Sequence, residues 1–104
     1  MINFFVKKYG IDRERVFAVG TSGGGHMAFK LGLTMPAAFK AITAIVANLP
    51  DTNNLDCTAS GAPMHVMIVN GTEDKTNPYN GGEVILGSGN FGFVRSSERS
   101  LQYW

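Results

Sequence analysis

Histidine is scarce in this chain. Only His26 and His65 occur in 104 residues, so nothing after position 65 can supply an imidazole. Cysteine is scarcer still: a lone Cys57 excludes an internal disulfide. One cysteine and two separated histidines also lack the ligand spacing of a metal site, so no metal and no cofactor is expected. Charge of one sign is missing as well. The formal net charge of +1 gives no electrostatic case for nucleic acid or a membrane surface as partner. No apolar run approaches the roughly 20 residues of a membrane span. The opening MINFFVKK has an apolar core too short for a signal peptide, and its basic residues follow that core. A hydrophobic share of 44% argues against disorder. At this length the chain is one domain or part of one.

What is present alternates. Ile2, Phe5 and Val6 recur at helical spacing up to Gly10, a C-terminal cap glycine. Val16–Val19 reads as a buried strand. Gly24 to Thr34 reads as a helix with Met27, Leu31 and Met35 on one face, ended by Pro36. Ala41–Ala47 and His65–Val69 read as further strands, residues 48–63 and 71–90 as loops. Ser96 or Ser97 caps a last helix with Glu98 in its first turn. Near-continuous apolar strands alternating with helices predict an α/β fold whose parallel sheet is flanked by helices and covered on both faces.

The residues Val16–Gly25, VFAVGTSGGG, carry the chemistry. The strand-like run ends at Gly20, G-T-S-G-G fits G-x-S-x-G, and a helical pattern starts at once. This is the order of a nucleophile elbow. A serine hydroxyl attacks well only when held exposed beside a base, and a sharp strand-to-helix turn lifts Ser22 clear of the sheet. Gly20 and Gly24 flank it where a Cβ is expected to crowd the turn. The Gly23 N–H, at the helix start, is the candidate oxyanion donor. A glycine-rich αβ turn without catalysis is the plainer reading. A nucleotide-binding turn is a weaker one: Gly23-x-Gly25-x-x-Ala28 matches G-x-G-x-x-A, but Gly20, Thr21 and Ser22 separate it from the strand. No Gly-Lys-Ser/Thr follows, which excludes a P-loop.

The third strand runs into N-G-T-E-D. An acid just beyond a parallel strand lies on the same sheet edge as the elbow. Asp74 is the candidate triad acid, with Glu73 beside it and Asp51 after strand two as rivals; a loop-capping aspartate is the plain alternative. The base is missing. His26 rides the elbow helix, four residues from Ser22, and His65 opens a strand at the opposite end. Tyr79, Phe91, Phe93 and Tyr103 are candidates to line an acyl or phenolic pocket, Tyr79 being the one assigned to substrate; plain core packing is the alternative.

With these residues in view, the chain resembles the extracellular polyhydroxybutyrate depolymerase and feruloyl esterase-like branch of the α/β-hydrolases. YGIDRERVFAVGTSGGGHMAFKL looks like that branch's helix, connector, strand, elbow and following helix. ANLP resembles its loop after the next strand, and NGTEDKTNPYNGG its N/H-G-T-x-D-x-x-x-P-Y-x-G-G signature. Lys75 and His26 depart from the pattern, where proline and methionine are usual. The resemblance implies a serine carboxylic ester hydrolase working through an acyl-enzyme on Ser22, with Asp74 as acid, on a small or polymeric ester. It implies several strands before the position of Ile2, with a loop among them donating a second oxyanion N–H, and a histidine-bearing segment after the position of Trp104. On that view residues 1–104 form a single incomplete catalytic domain, and Cys57 is available to pair with a cysteine beyond Trp104 or to stay free. Secretion is implied too. A catalytically incomplete fragment or pseudoenzyme is the alternative. Such a chain should leave sheet edges and one face uncovered and tend to self-associate.

Overall fold

Three apolar runs of five residues pair into one sheet: β1 (Phe17–Thr21), β2 (Ala41–Ile45) and β3 (His65–Val69). A computed structural model describes all of residues 1–104. The strands are parallel, in the order β1-β2-β3, and in step: Phe17 stands beside Ala41 and Ala41 beside His65, ending with Thr21, Ile45 and Val69. All three C-terminal ends therefore meet at one edge. β1 starts and ends later than expected, and β2 ends two residues early. The early end has a cause, because Val46 takes φ 52, which no strand continues.

Helix α1 (Ile2–Tyr9) ends at Gly10 with φ 64, as the sequence predicts. Helix α2 (Gly23–Thr34) links β1 to β2. The link from β2 to β3 is a long loop, as the sequence predicts for residues 48–63, holding only the 3-10 turn Thr52–Asn54. Helix α3 (Ser97–Tyr103) is capped by the Ser96 hydroxyl, which accepts from the Arg99 N–H at 3.1 Å.

The core lies on one side of the sheet. Ala28, Phe29 and Leu33 of α2 pack against Ile42 and Ala44 of β2 and Ala47 and Leu49 of the loop, with Trp104 leaning on the cluster. The packed stripe of α2 is thus not the expected Met27–Leu31–Met35 one; Met27 and Met35 are about half exposed. Small residues explain this. Gly25, Ala28 and Gly32 let the helix backbone approach the strands, and the methionines are too long for that seam. The other sheet face is bare: Phe17, Val19 and Met67 are 58%, 68% and 61% exposed. The expectation of cover on both faces is corrected accordingly. Helix α1 buries no residue and only flanks a hollow beside Val16 and Phe17.

Residues 71–90 were expected to form a loop, but their end is ordered into a β-hairpin. β4 (Gly82–Leu86) pairs antiparallel with β5 (Gly89–Val94), with an irregularity between Glu83 and Ile85. Its glycines, which read as loop signals, serve the turn at Gly87 (φ 61) and the bends at Gly82 and Gly92. Asn54 ties the hairpin to the β2 loop by donating to the carbonyls of Phe91 and Phe93.

Candidate active site

Ser22 stands at the turn between β1 and α2, exposed, with φ 53 and ψ −118. That backbone region is nearly barred to residues with a Cβ, and strain of this kind persists only where the surroundings hold it. Two things hold it. The Ser22 N–H donates to the Ile45 carbonyl at 2.8 Å, pinning the turn to the end of β2, and the Ser22 carbonyl accepts from the His26 N–H at 3.1 Å. Gly20 makes the turn possible. A Cβ there would fall 1.9 Å from the Gly24 carbonyl oxygen. The partner constraint is at Gly25, whose Cβ would fall 2.7 Å from that of Ala47. Gly24 has open space, so the expectation of crowding at that position is corrected. The Gly23 N–H opens α2, where helix amides have no intrahelical acceptor.

Asp74 lies after β3, on the same edge as Ser22 by the parallel order of the strands. Its Oδ1 accepts from the backbone N–H groups of Thr76 (2.8 Å) and Asn77 (2.9 Å), while Oδ2 carries no protein hydrogen bond. Its neighbour Glu73 is exposed and unbound. Asp51 caps the 3-10 turn at Thr52 and belongs to the loop beside the hairpin.

Neither histidine stands between Ser22 and Asp74. His65 is at the first position of β3, in a hollow with Arg13, Phe39 and Lys40 at the opposite end of the strands. His26 is half-buried in α2; its Nε2 is enclosed with no hydrogen-bond partner, and burial holds its pKa below the ordinary value. It lines a groove of about 250 Å³ with Gly23, Met27, Leu55 and Cys57. The exposed Lys30–Asp56 ion pair (2.8 Å) crosses that groove, each partner favouring the other's charged form. Tyr79 lies in a different groove, with Ile68, Asn70 and Leu101. Phe91 and Phe93 are exposed on β5, and Tyr103 stacks under the Arg95 guanidinium at 5.3 Å. Cys57 is a free thiol, half-buried.

Sequence reasoning missed a buried polar cluster behind the two loops. Asn48, Asn70, Asn77 and Ser97 come from four separate segments and hydrogen-bond to one another or to each other's backbones. Isolated asparagines in loops read as turn formers. The only signal was that Asn48, Asn70 and Asn77 fall inside the stretches that carry the family resemblance.

No protein-family model matches the chain, and no solved structure matches it. Over 41 residues it is 42% identical to feruloyl esterase B of Neurospora crassa. That stretch is 39% of this chain and 14% of the esterase, so the similarity to an esterase is local and spans a small part of that protein.

Proposed function

We infer that this chain carries the nucleophile and the acid of a serine carboxylic ester hydrolase. The observation that carries the reading is the Ser22 backbone, held in a strained conformation at an exposed strand-to-helix turn. The Ser22 hydroxyl attacks the ester carbonyl and gives its proton to an imidazole base. The tetrahedral oxyanion accepts a hydrogen bond from the Gly23 N–H. Collapse breaks the acyl–oxygen bond, the leaving alcohol takes the proton, and water then releases the acid by the same steps. Asp74 Oδ2 is the free oxygen that accepts from the imidazole and holds its tautomer. Neither His26 nor His65 is that base, since neither stands between Ser22 and Asp74. The substrate is an ester of the feruloyl, acetyl or polyester kind, and the local likeness to feruloyl esterase B favours the first.

Free imidazole stands in for the base in the test. Hydrolysis of p-nitrophenyl acetate and methyl ferulate by the purified chain should be weak and should rise with added imidazole. Ser22→Ala should remove all hydrolysis above that of imidazole alone, which itself cleaves p-nitrophenyl acetate. Asp74→Asn should remove most of the imidazole stimulation, the same role being worth about 10⁴ in a complete triad. Glu73→Gln should change little. Hydrolysis indifferent to Ser22, or a larger loss at Glu73 than at Asp74, would overturn the assignment. No Ser22-dependent reaction at any imidazole concentration would favour a non-catalytic chain.

A further inference from the structure

We propose that Asn48 is a positioning residue, which couples the strand end that pins the Ser22 turn to the loop that presents Asp74. The proposal rests on the reading of Ser22 and Asp74 as nucleophile and acid.

The coupling runs through Ile45–Asn48. The Ile45 carbonyl accepts from the Ser22 N–H, and the Val46 N–H makes the last ladder bond, to the Val69 carbonyl at 2.8 Å. Val46 then turns the chain out of the sheet with φ 52, a costly conformation for a β-branched residue. The Asn70 carboxamide takes over where the ladder stops. Its Oδ1 accepts from the Ala47 N–H (3.0 Å), and its Nδ2 donates to the Ala47 carbonyl (3.2 Å). Asn48 comes next and is fully buried. Its Nδ2 donates to the Pro78 carbonyl (2.9 Å) and its N–H to Asn77 Oδ1 (3.2 Å). Its Oδ1 accepts from Asn70 Nδ2 (2.7 Å) and the Ser97 hydroxyl (2.8 Å).

Asn77 closes the path, since its own N–H is one of the two that hold Asp74 Oδ1. Asn77 is only 3% exposed, yet its Nδ2 has no partner. Its carboxamide is thus oriented through Oδ1, by the Asn48 backbone N–H, while the Asn48 side chain holds the same loop through the Pro78 carbonyl. Water cannot replace these bonds at a fully buried residue, so loosening them at Asn48 goes uncompensated and frees the acid loop. The exposed Lys30–Asp56 pair, by contrast, is solvated and adds little to stability.

The test uses the chain with two variants, Asn48→Ala and Asn77→Ala, so that one folding failure does not end it. Amide hydrogen exchange is followed by NMR. The Thr76 and Asn77 amides should exchange about tenfold faster or more, while Ile42 in the sheet core stays unchanged, as a local opening requires. A fluorophosphonate probe and added imidazole then separate positioning from general loosening. Labelling of Ser22 without imidazole should keep its rate, and imidazole-stimulated hydrolysis should fall about tenfold, because the acid acts only through the base. Exchange that rises equally at Ile42, or labelling and stimulation that fall together, would overturn the proposal and leave Asn48 a structural residue. The expected exchange pattern without any Ser22-dependent reaction in the parent chain would overturn the esterase reading instead, with the anchoring of the Asp74 loop intact.

Discussion

Gly20 and Gly24 look equivalent in G-T-S-G-G, but they differ in space. A Cβ at Gly20 meets backbone that cannot give way; at Gly24 it meets nothing, and φ there is not in the left-handed region. Gly20→Ala should therefore destabilise by about 3 kcal/mol, in the range of severe overpacking. Gly24→Ala should be neutral or stabilise by up to about 1 kcal/mol through helix propensity and a less free unfolded chain. Urea unfolding of the two variants beside the parent measures both. The motif shows that small residues are needed here; only the path of α2 decides which one cannot change.

His26 makes a second prediction at the same scale. Burial holds its folded-state pKa below the ordinary value. The unfolded chain therefore takes up a proton first as pH falls through about 6.5. Between that value and the lower folded one, the unfolded state binds more protons and stability declines with falling pH. Unfolding free energy should be lower near pH 5 than near pH 7.5, and His26→Met should flatten that part of the slope. A slope unchanged in the variant would show that other groups produce it.

At the scale of elements, α1 was legible and yet it is loosely held. Its apolar spacing and its Gly10 cap mark a helix, but none of its residues is buried. A helix of 8 residues is marginal by itself, since most helical stability comes from a packed face. Its amides should exchange near the unprotected rate while those of α2, packed on β1 and β2, are slowed by at least about a hundredfold. Equal protection in both would mean that α1 docks in solution. The β4–β5 hairpin was missed for the opposite reason. Its strands carry glycine at positions 82, 89 and 92, which depresses strand propensity. The pairing is stabilised from outside instead, by Asn54 and by the bridge from Pro50 to Val94. Such long-range support has no local signature.

The whole molecule is open on one side. Its accessible surface is 6734 Å², against roughly 5,700 Å² for a compact monomer of this mass. The difference is about that buried per partner in a standard interface. Phe17, Val19, Met67 and Val69 form much of the bare sheet face, and β1 and β3 are both free edges. The chain should therefore self-associate with rising concentration in sedimentation experiments. Val19→Lys with Met67→Lys should shift it towards monomer, because charge on a strand face opposes stacking. A parent chain that stays monomeric at millimolar concentration would contradict this.

The residues alone determined most local elements: that the three apolar runs become strands, where glycine or proline stops a helix, and that Ser22 occupies a turn between strand and helix. Those are short-range effects, set by backbone sterics and side-chain spacing. The parallel alternation also placed Asp74 at the same edge as Ser22, since parallel strands put all their C-terminal ends together. Tertiary structure decided the rest. It chose Gly25, Ala28 and Gly32 over the methionines as the helix seam, left one sheet face bare, and gathered Asn48, Asn70, Asn77 and Ser97 behind the Asp74 loop. Close approach and burial decide these matters. A long side chain packs only where space remains, and a buried amide is satisfied only by groups that the fold brings from far along the chain.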